Sequence, residues 1–189
     1  MCEIINDLPK YNSEDLIEKI LSENLIYDGN IFSVKELQVL TANNHRSHRE
    51  IISHNGGACI LALTDDDKII FEYQFRVAIG KVLLELPAGK LEKGEEAIVC
   101  AKRELEEETS YRAEKWTSLG EIFVSPGYDN EKIYLFLAEN LRQGEFNLDP
   151  DERIMTFALP KSLVKDLLLS NYFEDAKTAM ALSMYFLKY

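Results

Sequence analysis

The chain has 189 residues, 46% of them hydrophobic, and a formal net charge of −12. That length is enough for one domain with a real core plus an accessory piece, and no run is long and apolar enough to cross a bilayer. The acidic surplus repels nucleic acid phosphates, which argues against duplex binding. The start, MCEIINDLPKYNSEDL, lacks the basic and apolar segments of a secretion signal, so the expected location is cytoplasmic.

In chain order, residues 1–57 read as an N-terminal extension and 58–189 as the main domain. Asn12-Ser13-Glu14-Asp15 is a cap signal for a short helix to about Ser22. Leu25–Tyr27 and Phe32–Leu40 alternate like strands around the turn Asp28-Gly29-Asn30. Gly56-Gly57 then breaks the chain. Ala58–Leu63 is an apolar strand that ends at Asp65-Asp66-Asp67, and Lys68–Phe75 is expected to return beside it as a hairpin. Lys81–Leu86 is a further strand, followed by a loop and a helix whose Ile98, Ala101 and Leu105 form one apolar face. Trp116–Val124, Lys132–Glu139 and Arg153–Leu159 read as strands, and Lys161–Ser170 and Asp175–Leu187 as closing helices. Strands, a helix, more strands and two helices give mixed α/β layers.

The cysteines offer no metal or disulfide framework. Cys2, Cys59 and Cys100 form no Cys-x-x-Cys pair, and the last two sit in apolar runs as core residues. His45, His48 and His54 lie in a polar stretch that reads more readily as solvated surface than as a metal site.

The informative segment is Gly89 to Tyr111, GKLEKGEEAIVCAKRELEEETSY. On a helix, Glu104, Glu107 and Glu108 stand at i, i+3 and i+4 and share a face. Like charges at that spacing cost a few tenths of a kcal/mol per pair. They also sit toward the helix C-terminus, where the macrodipole disfavours anions. A solvated acidic face accounts for them. So does a hard divalent cation such as Mg²⁺, which binds a few carboxylates and keeps positions for water and phosphate.

This segment resembles the Nudix box, G-x5-E-x7-R-E-U-x-E-E-x-G-U with U a bulky apolar residue. Gly89, Glu95, Arg103, Glu104, Leu105, Glu107 and Glu108 fall in register, and Ser110 stands where the box has its last glycine. The resemblance implies a Nudix fold, a mixed sheet sandwiched between helices, here with an N-terminal β extension. It implies that Glu104 and Glu108 ligate the metal, with Glu107 close by and a backbone carbonyl near Ala88 as a further ligand. Glu95 and Arg103 would brace the loop against the helix, next to Gly89. Mg²⁺ is the expected cofactor, with Mn²⁺ as the alternative.

Outside the box, residues 32–189 resemble the ADP-ribose pyrophosphatase branch. Gln74-Phe75-Arg76, Glu85-Leu86-Pro87-Ala88-Gly89, Pro126 standing 15 residues after Tyr111, and Asp175-Ala176-Lys177-Thr178 carry the likeness. Arg49-Glu50 resembles an N-terminal pair that contributes to nucleotide binding. The implied substrate residues are therefore Arg49, Glu50, Arg76 and Pro126, with Phe32 or Tyr27 as an aromatic shelf for adenine. The branch takes its catalytic base from a loop after the box. Here that loop is GEFNLDPDER, with Glu152 as first choice and Asp151 as second. The branch also exchanges N-terminal strands between subunits, which implies a homodimer built on residues 1–57. The implied reaction is hydrolysis of ADP-ribose to AMP and ribose 5-phosphate. Another nucleoside-diphosphate sugar, GDP-mannose or ADP-glucose, is the rival substrate, and a non-catalytic ADP-ribose-binding module is the rival class.

Overall fold

The structure, a computed structural model, describes residues 8–144 and 153–189. Its described residues divide into two compact units. One runs up to Ser53 and includes Gly127–Asp129; the other comprises His54–Pro126 and Asn130–Tyr189.

The first unit is a three-stranded sheet in the order β1-β2-β3, from β1 (Lys19–Asp28), β2 (Phe32–Leu40) and β3 (Arg46–His54). β1 and β2 pair antiparallel from Lys19 opposite Leu40 to Asp28 opposite Ser33. The helix expected from Asn12 to about Ser22 is instead one 3-10 turn, Ser13–Asp15, capped by the Asn12 side chain. Leu16, Ile17, Ile20 and Leu21 fall at helical spacing but are all exposed, and a short helix with nothing to bury its apolar face against does not outlast its nucleation cost; from Lys19 onward the backbone is held by β2. β3 is a strand that the sequence reading passed over, because its polar residues hid the alternation of exposed and half-buried positions from Arg46 to Glu50.

The second unit carries two sheets. One has the order β10-β5-β6, from β5 (Lys68–Arg76), β6 (Lys81–Glu85) and β10 (Ile154–Pro160). The other has the order β7-β4-β9-β8, from β4 (Gly57–Ala62), β7 (Ala88–Lys90), β8 (Tyr111–Phe123) and β9 (Lys132–Gln143). β4 pairs parallel with β9 and antiparallel with β7, so the sheet is mixed. All six residues of β4 are buried. Cys59 and Leu61 join one apolar cluster with Phe71, Leu135, Val164 and Leu182, while Ala58, Ile60 and Ala62 join another with Ala101 and Leu105. The first cluster includes residues of α2 (Lys161–Leu169) and α3 (Ala176–Lys188), and the second includes residues of α1 (Ala97–Thr109). Helices thus cover both faces, which is why β4 lacks the polar alternation of a half-buried strand.

The expected hairpin of β4 with β5 does not form. A single bridge, Leu63 to Ile69, joins the two segments, and β5 pairs with β6 and β10 instead. Both edges of β4 are occupied by β7 and β9, so no edge remains for β5.

Candidate functional site

Helix α1 supplies the carboxylates. Ala101 and Leu105 are buried against β4, which turns the face of Arg103, Glu104 and Glu107 toward the preceding loop. Glu108 is 3% exposed and accepts a hydrogen bond from the Ala88 amide at 2.9 Å. Glu104 lies against the next residue. A Cβ built on Gly89 would overlap the Glu104 carboxylate, so glycine here leaves Glu104 the room to lie against the backbone where Arg103 holds it. Two carboxylates one helical turn apart thereby converge on the backbone of Ala88 and Gly89.

Arg103 ties the remaining acids together. Its Nε and Nη2 donate to Glu95 at 3.2 Å each, and Nη2 reaches the Lys90 carbonyl at 3.3 Å. Nη1 donates to Glu104 at 2.8 Å and to Glu107 at 3.0 Å. Burial opposes the Arg103 charge, but the Glu95 hydrogen bonds and the Glu104 charge outweigh it and hold the guanidinium protonated. The same bond keeps the Glu95 carboxyl below the usual carboxylate range. Loop 89–96 is thus fastened to the helix by charge-assisted bonds.

The helix ends at Ser110, in the left-handed conformation with φ 61°, its amide donating to the Glu106 carbonyl at 2.9 Å. The turn is the one a glycine would make, adopted by a serine.

Beside Gly89 lies a cleft of about 250 Å³. Its lining includes Gly57, Arg76, Gly89, Glu131, Asp175 and Lys177. Arg76, at the end of β5, donates from Nε and Nη2 to the two oxygens of Glu85, both at 2.8 Å. Lys177 also bonds Glu85, and it pairs with Asp175 at 3.0 Å. Asp175 caps α3 by accepting from the Thr178 amide at 3.0 Å. Glu85 is 1% exposed. Burial would raise its carboxyl, but the Arg76 hydrogen bond and the Lys177 charge more than offset this and keep it low. Of these groups the sequence reading named Arg76 as a binding residue. Glu85 and Lys177 appeared only inside longer look-alike stretches. Their signal was a buried acid with two cations around it, which sequence spacing does not display.

The other expected residues are placed as follows. Arg49 and Glu50 lie on β3 in the first unit, where Arg49 bonds Glu18 at 2.5 Å and 3.1 Å. Tyr27 and Phe32, also in the first unit, pack on each other with ring centroids 5.8 Å apart. Pro126 is exposed in the turn after β8. Asp151 and Glu152 lie outside the described residues. His54 accepts from the Gly56 amide at 3.0 Å.

A hard cation fits the chemistry of this donor set. Glu104, Glu107 and Glu108 are oxygen donors, and the Gly89 cradle lets the Glu104 carboxylate reach the Ala88–Gly89 backbone. Among the described residues, no three His, Cys, Asp or Glu side chains form a ready-made metal cluster. In this arrangement Arg103 takes up both Glu104 and Glu107. Cys59 and Cys100 offer no alternative chemistry, since burial pushes the Cys100 thiol up to about 12 and the Cys59 thiol higher still.

The chain resembles known proteins over most of its length. Residues 53–177 match the NUDIX domain family. An ADP-ribose pyrophosphatase of Bacillus subtilis (strain 168) is 39% identical over 177 residues, which is 93% of this chain and 96% of the relative. A GDP-mannose pyrophosphatase of Cronobacter sakazakii is 33% identical over 184 residues, covering 90% of this chain and 93% of the relative. A solved structure described as an ADP compounds hydrolase superposes with a TM-score of 0.81. It covers 90% of this chain and 93% of its own at 24% identity, which speaks to the fold alone.

Proposed function

The chain belongs to the NUDIX family, and from that premise we propose that it hydrolyses the diphosphate bond of ADP-ribose to AMP and ribose 5-phosphate, with Mg²⁺ or Mn²⁺ as cofactor. It is a pyrophosphatase with the family's mixed α/β fold. The observation that carries the reading is the convergence of Glu104 and Glu108 on Ala88–Gly89, beside a cleft walled by Arg76. The likeness to an ADP-ribose pyrophosphatase over nearly the whole chain supports the choice of substrate.

A bound divalent cation supplies charge neutralisation for the diphosphate and a water that loses its proton near neutral pH. Glu104, Glu108 and the Ala88 carbonyl are the residues that would hold it, with Glu107 beside them. A cation held there would compete with Arg103 for Glu104 and Glu107, while Glu95 would keep its two bonds to Arg103. Arg76 binds substrate phosphate. Its pairing with Glu85 uses Nε and Nη2, so Nη1 is the nitrogen that meets the diphosphate. Glu152, or Asp151 after it, takes the proton from the attacking water. Water is the nucleophile, because neither buried thiol is activated. Arg49, Glu50 and Pro126 contribute to nucleotide binding, with Phe32 or Tyr27 as the adenine shelf.

We further propose that residues 1–57 act as a dimerisation subdomain and 58–189 as the hydrolase domain of a cytoplasmic homodimer. No helix among the described residues is long and apolar enough to cross a membrane. The non-catalytic module is disfavoured because every box carboxylate is present. The rival substrate is GDP-mannose, favoured by the relative at 33% identity. A panel of nucleoside-diphosphate compounds with Mg²⁺, read by chromatography, tests the proposal. The expected result is AMP and ribose 5-phosphate from ADP-ribose. Cleavage of GDP-mannose with ADP-ribose left intact would overturn the substrate.

A further inference from the structure

Glu85 holds two cations at once beneath the wall of the cleft. Arg76 takes both of its oxygens through Nε and Nη2, and Lys177 takes one of them as well. Arg76 and Lys177 line the cleft. Glu85 stays behind them at 1% exposure. Alone with Arg76, Glu85 would fix the guanidinium plane and at the same time cancel its charge. Lys177 supplies a second positive charge for the shared carboxylate and so offsets part of the charge that Glu85, with Asp175 and the buried Glu72, sets against Arg76. Asp175 offsets Lys177 in turn, and it stands at the N-terminal end of α3, where the helix dipole partly neutralises an anion.

Resting on the reading that this cleft takes a nucleoside-diphosphate compound, we propose that Glu85 and Lys177 are positioning residues that present Arg76 to the diphosphate, Glu85 by fixing its plane and Lys177 by preserving part of its charge. A bare structural clamp is the competing account. Buried ion pairs contribute little net stability compared with apolar substitutes, and a clamp gives no reason for both cations to line the cleft while the carboxylate they share lies behind them.

The experiment is a double-mutant cycle on the full-length, Mg²⁺-loaded enzyme, with Arg76→Ala, Lys177→Met and the pair. Lys177→Met is expected to raise KM about tenfold, the scale of one charge-assisted contact. Its kcat should stay within about threefold of wild type, as expected for lost binding. In the Arg76→Ala background Lys177→Met should change KM by less than about twofold, because it acts through the missing guanidinium. Lys177→Arg should restore most of the affinity. The same cycle read as the Kd for ADP-ribose in chelator, with no turnover, should show the same non-additivity. Should Lys177→Met fail to fold, Lys177→Gln is read in its place, since it removes the charge and keeps a donor. Additive KM effects, or a lowered Tm with unchanged KM, would overturn the proposal. The kinetic cycle is run on whichever compound of the panel the wild type cleaves fastest. A different substrate then overturns the substrate reading and leaves the cycle readable, whereas a wild type that cleaves none of the panel and does not bind ADP-ribose overturns both.

Discussion

Gly89 is the residue on which the candidate metal-binding geometry depends most directly. The Glu104 carboxylate fills the space a methyl group would need, so Gly89→Ala must displace one or the other. Misplacement of a ligand by about 1 Å can cost on the order of a hundredfold in rate. We therefore expect kcat to fall by about that factor while the far-ultraviolet spectrum is unchanged; near-normal turnover would show that Glu104 has room elsewhere. Ser110 presents the opposite case. It adopts φ 61° at the end of α1, a conformation that costs a residue with a Cβ roughly 1–2 kcal/mol. Glycine removes that strain but adds about 0.4–1 kcal/mol of unfolded-state entropy. Ser110→Gly should thus stabilise the protein by about 0.5–1 kcal/mol, read as a small rise in Tm with activity retained. A fall in Tm would mean that the serine side chain is itself held in place.

At the scale of elements, α1 is where sequence and structure meet most closely. Its apolar face of Ala101 and Leu105 packs on β4, and Glu104, Glu107 and Glu108 follow from that orientation by periodicity alone. What escaped sequence reading has a physical cause in each instance. β4 and β5 look like a hairpin because both are apolar runs around an Asp turn, yet strand partners are settled by which edges are free, and β7 and β9 hold both edges of β4. β7 is three residues long and too short for any alternation to appear. Glu85 reads as an ordinary strand-end acid, and only the approach of α3 brings Lys177 to it. The helix also carries a direct test. Glu108→Gln removes one charge at nearly constant shape, and the amide can still accept from the Ala88 N–H, as the carboxylate does now at 2.9 Å. The fold should survive and kcat should drop by about two to three orders of magnitude, the effect of removing a single electrostatic stabiliser. Wild-type activity should vanish with chelator and return with Mg²⁺. Near-normal turnover of pure Glu108→Gln would remove Glu108 from the metal site.

For the whole molecule, the buried charges bear on the response to acid, and the exposed face of β1 bears on the proposed dimer. Glu85 and Glu95 are both held below the ordinary carboxylate value of 4.5 in the folded chain. Their stabilisation is therefore fully present above 4.5 and is lost as pH falls through the folded values. The Tm should stay level near neutrality and decline below that point, and Lys177→Met, by weakening the hold on Glu85, should move the decline to higher pH. An unchanged onset in the mutant would argue against the shared ion pair. The first unit presents the other case. Every residue of β1 is exposed in the single chain, including Ile20, Leu25, Ile26 and Tyr27, each more than half exposed. β1 is also an edge strand of ten residues, and a long apolar edge is a template for pairing with another chain. A second copy of the chain would cover this surface. Light scattering should give about twice 21.7 kDa over a wide concentration range, and the Tm should rise with protein concentration, as mass action requires of a dimer. Ile26→Glu places a charge in the middle of β1 and should shift the mass toward the monomer. A wild-type mass of 21.7 kDa at every concentration would rule the dimer out and leave the exposed face of β1 for a different partner.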